Sequence, residues 1–181
     1  MTIADLTAKI KSGEVDTVVV AMTDMQCRLT GKRIHGTFFL DEVLKHGTEG
    51  CNYLLAVDVD MNTVDGYEMS SWERGYSDFA LVPDMDTLRM IDWQEGAALV
   101  LADVQWLDHT DVVASPRQIL RKQVKALKDA GMEAMCGTEL EFVVYKDTYE
   151  EAWNKGYKNL IPVNQYNVDY SILGGSRIEP L

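Results

Sequence analysis

Apolar residues recur at Ile3, Leu6 and Ile10, the spacing of one helical face, and the stretch ends on a basic, polar turn and Gly13. This predicts a short N-terminal helix. Thr17 to Met22 is a β-branched run, predicted as a strand. A turn around Leu29-Thr30-Gly31-Lys32 is predicted to reverse the chain into a return strand over Arg33 to Phe39. Phe39, Leu40, Val43 and Leu44 suit a short helix that stops at Gly47, and Cys51 to Val59 reads as a buried strand.

From Asp60 to Ser77 the pattern dissolves into Asn, Asp, Gly and Ser, with Tyr67, Trp72 and Tyr76 interleaved. A connector of about 18 residues is longer than usual. Two readings stay open: a lid or subunit contact, or an Ω-loop packed on its own aromatic side chains. Periodicity returns with short strands at Phe79–Val82 and Leu88–Ile91, split by a Pro83-Asp84 turn, and a longer strand at Ala97–Val104. The first hundred or so residues therefore read as an α+β layer domain. Ser115-Pro116-Arg117-Gln118 offers a capping hydroxyl, a proline at the first helical position and a glutamine able to reach back to the cap. Ile119, Leu120, Val124, Leu127 and Ala130 then form an apolar stripe, predicting a helix over 116–130 ended by Gly131. Glu133 to Lys146 is predicted as a central strand, covered on both faces. The polar, aromatic stretch Tyr157 to Asp169 suits a substrate-facing loop.

Composition narrows the function classes. With 46% hydrophobic residues among 181, a real core is within reach and disorder is not expected. Seventeen basic against twenty-nine acidic residues give a net charge of -12, which argues against a nucleic-acid or membrane-surface partner. No apolar run approaches the ~20 residues that span a bilayer. The N-terminus lacks a basic segment followed by an apolar one, and Cys27, Cys51 and Cys136 have no pair or metal spacing. A reducing, cytoplasmic location is the resulting expectation. His35, His46 and His109 share no metal spacing either.

The chemistry concentrates in Cys136-Gly137-Thr138-Glu139-Leu140-Glu141-Phe142. On a strand, Glu139 and Glu141 share a face. Two such carboxylates, if buried, need cationic side chains or hard divalent cations as compensation. If they lie at a water-exposed strand end, they need nothing.

Four motifs now bear on each other. Ser115-Pro116-Arg117-x-x-Leu120 followed by Gly137-x-Glu139-x-Glu141-Phe142 resembles the entry to the catalytic domain of glutamine synthetases, with their Pro-Arg-x-x-Leu helix start and Gly-Pro-Glu-x-Glu-Phe strand. Upstream, Asp78-Phe-Ala-Leu-Val-Pro83-Asp84-x-x-Thr87 is similar to that family's Asp-x-x-Leu-x-Pro-Asp-x-x-Thr segment. Thr23-Asp24 through Gly31-Lys32 resembles its first hairpin, with Cys27 where the family has glycine.

The resemblance implies a β-grasp-like N-terminal domain over 1–107 and, over 108–181, the opening part of a glutamine synthetase-type catalytic α/β domain, cut short at the C-terminus. It implies that Glu139 and Glu141 ligate Mg2+ or Mn2+, that ATP is co-substrate, and that glutamate is amidated through γ-glutamyl phosphate by ammonia or a larger amine. It also implies ring-shaped homo-oligomers, with most of the ATP site beyond Leu181. Asp65-Gly66-Tyr67-Glu68 stands where the family has Asp-Gly-Ser-Ser. Asp65 would then serve the amine site across a subunit interface, with the altered loop leaving room for an amine larger than ammonia, as in relatives that make γ-glutamyl amides. The rival is a non-catalytic assembly or regulatory module that uses the first domain and loop 60–77 as a subunit interface.

Overall fold

The computed structural model describes residues 1–165 and 170–179. It comprises two compact units, Met1–Ala134 and Met135–Leu181.

The first unit opens with helix α1, Ile3–Ser12. Thr2 and Asp5 form a reciprocal capping box, and Gly13 closes the helix at φ 80 with its N–H donating to the Ile10 carbonyl. Strands β1, Thr17–Thr23, and β2, Leu29–His35, pair antiparallel with Thr17 opposite His35. The reversal lies earlier than predicted, across Asp24–Arg28, and the expected turn residues 29–32 belong to β2. Buried Asp24 is the cause, because its carboxylate accepts the N–H groups of Gln26 and Arg28, each at 2.9 Å. Gly31 is instead a close-approach position. A Cβ there would stand 2.0 Å from the Val20 carbonyl oxygen of the paired strand.

The predicted return strand ends at His35 rather than Phe39, and the chain turns helical through α2, Gly36–Phe38, a π-type turn, Phe39–Val43, and α3, Leu44–His46. Phe39 and Val43 enter the core from this run. The buried strand expected over 51–59 is also corrected. Strand β3, Thr48–Cys51, gives way to a 3-10 turn, Asn52–Leu55. Buried Asn52 forces the change: its amide Nδ2 donates to the Met69 carbonyl at 3.2 Å and to Ser77 Oγ at 3.1 Å. These bonds tie the segment to the far end of the following loop.

The two strands predicted around Pro83 are one, β4, Asp78–Met90, with its register shifted between Asp84 and Arg89. Proline is accommodated beside such an irregularity. Thr87 repairs the ladder there, its hydroxyl donating to the Asp84 carbonyl at 2.7 Å and accepting the Leu101 N–H at 2.8 Å. Strand β5, Ala97–Gln105, completes a mixed sheet of order β2-β1-β5-β4-β3, in which only β1 and β5 run parallel. One face carries the main core, including Leu6, Val18, Val20, Phe39, Phe79, Leu81 and Val100. The other bears a small cluster of Ala21, Ile91, Ala97 and Leu99.

Helix α4, Pro116–Asp129, forms where predicted but is not attached as its pattern suggested. Ser115 makes no side-chain cap, and Gln118 reaches toward Asp111, at 3.4 Å, rather than back to the helix start. Ile119, Leu120 and Val124 of the apolar stripe are exposed. Arginines bind the helix to the sheet instead, as described below.

The second unit contains helix α5, Tyr149–Asn154, started by a capping box between Thr148 and Glu151, and the short helix α6, Ile172–Gly175. Asp147 organises it, pairing with Lys155 and accepting the Ile161 N–H at 2.6 Å. The expected central strand over 133–146 is absent. Residues 132–144 carry no regular element, and strand-like pairing begins only where Tyr145 bridges Pro162. A strand needs neighbours for its backbone groups, and residues 144–146 find them at Ile161 and Val163. Of the predicted substrate-facing stretch 157–169, Tyr157 is exposed and residues 166–169 lie outside those described. Among the described residues, no helix is long and apolar enough to cross a membrane.

Candidate functional site

Asp65 belongs to the first unit, and what places it begins at the tip of the β1–β2 hairpin. Asp24 is fully buried at the end of β1. Burial pushes its carboxyl upward, but hydrogen bonds from the Arg28 side chain, the Arg28 N–H and the Gln26 N–H outweigh this and hold it below the usual carboxylate range. The Arg28 Nε donates to Asp24 at 2.7 Å. Its guanidinium then reaches across to the next loop, donating to the Val59 carbonyl at 2.7 Å and lying 3.2 Å from Met61 Sδ. Gln26 Nε2 donates to the Val57 carbonyl at 3.0 Å.

The loop segment so held is a tight hairpin. The Asp58 carboxylate accepts the N–H groups of Asp60 and Asn62, both at 2.9 Å, and the Asn62 amide 3.1 Å away. The Asn62 side chain and then its N–H draw the Asp58 carboxyl below its ordinary range. Val57 bridges Thr63, and the Val64 N–H donates to the Ala56 carbonyl at 3.0 Å. Asp65 follows directly and is exposed.

The rest of the loop is packed on its own aromatics. The Tyr76 ring meets Trp72 edge-on at 5.2 Å and Tyr53 at 6.2 Å, and Arg74 donates to the Glu68 carbonyl at 2.7 Å. That matches the Ω-loop alternative, while Trp72 keeps 76% of its surface exposed and Tyr67 43%.

A second cluster escaped sequence reasoning. Arg117, the arginine of the Pro-Arg-x-x-Leu motif, pairs with Asp84 of the Pro-Asp motif and donates Nε to Asp103 at 2.8 Å. Arg121, one turn further, also pairs with Asp103. The motifs are thus joined to each other, and the spacing Arg117-x-x-x-Arg121 was the available signal. A groove of about 520 Å³ runs beside this cluster, lined by Gln105, Asp111, Val113, Gln118, Ile119 and Lys122 among others.

Glu139 and Glu141 belong to the second unit, in the segment without regular structure, and both are exposed. Among the described residues, no three His, Cys, Asp or Glu side chains are grouped to hold a metal. The donor chemistry nevertheless fits a hard divalent cation: two carboxylates, one residue apart, account for two of the six or so oxygens such an ion takes.

Comparison with known proteins bears on the chain as a whole. Residues 113–172 match the glutamine synthetase catalytic-domain family. The chain is 60% identical over 179 residues to gamma-glutamylethanolamide synthetase GlnA4 of Streptomyces coelicolor, covering 99% of this chain and 39% of that protein. It is 32% identical over 164 residues to glutamate–isopropylamine ligase of a Pseudomonas species, covering 91% of this chain and 36% of that one. The chain therefore spans well under half the length of these curated relatives. In fold it is similar to ligand-free GmaS, with a TM-score of 0.54 at 16% identity, over 71% of this chain and 27% of that structure. With a mixed α+β sheet and these sequence relationships together, the chain belongs to the glutamine synthetase family.

Proposed function

We propose that this chain is part of an ATP-dependent ligase that joins an amine to the side-chain carboxylate of glutamate. The observation that carries the reading is the 60% identity, across almost the whole chain, to a gamma-glutamylethanolamide synthetase. An exchange of ammonia for a larger amine is consistent with Tyr67 and Glu68 standing where the ammonia-using pattern has serines.

Residues 1–107 form a β-grasp-like domain in this reading. The parallel β1/β5 pair with antiparallel β2 and β4 beside it, and the helical run Gly36–His46, support it. Residues 108–181 open the catalytic domain. The γ-carboxylate of glutamate attacks the terminal phosphorus of ATP, ADP leaves, and an acyl phosphate results. The amine nitrogen then attacks the acyl carbon, and phosphate leaves with the C–O bond. Asp65 accepts the proton the amine must lose. Glu139 and Glu141 would supply two ligands to Mg2+ or Mn2+, a cation that, when bound, would offset negative charge on the phosphoryl group. The working enzyme is a cytoplasmic homo-oligomeric ring, in which Trp72 and Tyr67 present an aromatic surface to a neighbouring copy.

In the full-length ligase, Glu139→Gln and Glu141→Gln each abolish metal-dependent ADP formation in the presence of glutamate and ethanolamine, with circular dichroism unchanged. Full turnover in either variant overturns the metal assignment. Product formation with ethanolamine, isopropylamine and ammonia in parallel identifies the amine, and absence of a γ-glutamyl amide from all three refutes the ligase reading.

A further inference from the structure

We infer that Arg28 is a positioning residue for the amine site: the β1–β2 hairpin tip latches the 57–62 loop hairpin and so fixes where Asp65 stands. This rests on the Asp65 reading given above, and it adds a residue that lies 37 positions earlier in the chain.

The latch has a rigid end and a grasping end. At the rigid end, Arg28 Nε is held at 2.7 Å by the carboxylate of Asp24, which is fully buried and continuous with β1. At the grasping end, Nη1 donates to the Val59 carbonyl at 2.7 Å, while Nη2 lies 3.2 Å from Met61 Sδ and 3.5 Å from the Asp58 carbonyl. Nη2 also donates to the Gln26 side chain at 3.2 Å, and Gln26 in turn holds the Val57 carbonyl at 3.0 Å. Only a planar fork with several fixed donors makes this set of contacts; an ammonium on a flexible stem reaches one or two.

The grip is transmitted by a short, hydrogen-bonded path. The Asp58 N–H donates to the Asn62 carbonyl at 2.9 Å, and the Val64 N–H to the Ala56 carbonyl at 3.0 Å, and the fork's grip on the Val59 carbonyl in this turn holds the hairpin closed. Asp65 is the next residue. Removing the guanidinium loosens this hairpin, leaving the Gln26 bond to the Val57 carbonyl, without undoing the sheet, because the Asp24 carboxylate keeps the N–H groups of Gln26 and residue 28.

Two measurements test the latch. Amide exchange of the chain carrying Arg28→Ala should show the Asn62 and Val64 protons exchanging about tenfold faster, with β1 and β5 unchanged. In the full-length ligase, the same variant should lower kcat/KM for ethanolamine about tenfold, within the ~10²-fold in rate that a misplacement of about 1 Å can cost. KM for ATP and glutamate should stay within about twofold of wild type. Arg28→Lys, which keeps the Asp24 pair, should fall between the two. Unchanged loop exchange, faster exchange throughout the sheet, or ATP, glutamate and amine KM values rising together would each overturn the proposal. Asp65→Asn separates the two readings. If it leaves kcat/KM for the amine unchanged, Asp65 is not the amine residue, and the loop exchange of Arg28→Ala alone then decides the latch: faster exchange at Asn62 and Val64 upholds it, no change refutes it.

Discussion

Arg117→Ala is the sharpest test of how α4 is attached to the sheet. Arg117 is 21% exposed at its side chain, and its partners Asp84 and Asp103 are 18% and 14% exposed. Exposed ion pairs contribute about 0.2–1 kcal/mol, whereas breaking a fully buried pair costs about 3–5 kcal/mol. The cluster lies between these limits but nearer burial. Removing Arg117 also leaves Asp84 without its cation, while Asp103 retains Arg121. A destabilisation of about 2 kcal/mol follows, with Arg117→Lys near half of it because the fork is lost and the charge kept. Urea unfolding followed by fluorescence reads the first unit, since Trp106 packs edge-on to buried Phe79 at 5.3 Å whereas Trp72, Trp93 and Trp153 are exposed. A double-mutant cycle with Asp84→Ala isolates a coupling of about 1 kcal/mol. A midpoint unchanged within about 0.5 kcal/mol, or a coupling of zero, would show that the exposed apolar stripe holds the helix after all.

Three further outcomes follow from the same geometry. Gly31→Ala should destabilise by about 1–3 kcal/mol, because the Val20 carbonyl oxygen cannot yield to a Cβ without moving a paired strand; a neutral thermal midpoint would contradict this. Asp24 has a folded pKa below its ordinary value, so its contribution is complete above the unfolded pKa of about 3.9 and is lost as pH falls through the folded value. The stability gap between wild type and Asp24→Asn should accordingly be constant from pH 7 to about 5 and shrink below about 4, as read by urea midpoints. Asp147→Asn should release Lys155 and speed exchange of the Ile161 amide, with α1 and β1 amides unaffected.

Elements defined by local chemistry were legible in the residues. The α1 periodicity with its Gly13 stop, the β-branched β1 run, β5 and the α4 span all form within a residue or two of where the pattern puts them. The errors share a cause, which is a polar side chain bonding to groups that the apolar pattern does not register. Asp24 moved the first reversal, Asn52 turned a predicted strand into a 3-10 turn by bonding across 17 and 25 residues, and Thr87 joined two predicted strands into one. No window of apolar periodicity registers such bonds. The segment bearing Glu139 and Glu141 failed differently. Its alternating apolar residues specify a strand surface, but a ladder exists only when partner strands are at hand. Leu140, Phe142 and Val143 accordingly remain exposed.

The motifs that identify the family are therefore of two physical kinds. The Pro83-Asp84-x-x-Thr87 and Pro116-Arg117 segments lie 33 residues apart at Asp84 and Arg117, yet they form one structure: Thr87 mends the β4–β5 ladder and Asp84 receives the arginine. Either alone leaves a buried or half-buried group without its partner, so the two must occur together for reasons of stability. Glu139 and Glu141 have no such partner among the described residues, and Asp65 stands exposed at the end of a hairpin that is itself held in place. Carboxylates kept in the open, on segments whose neighbours carry the structural bonds, gain nothing in stability from being carboxylates. Their chemistry is available to a ligand, and substituting them should cost activity while leaving the unfolding midpoint where it is.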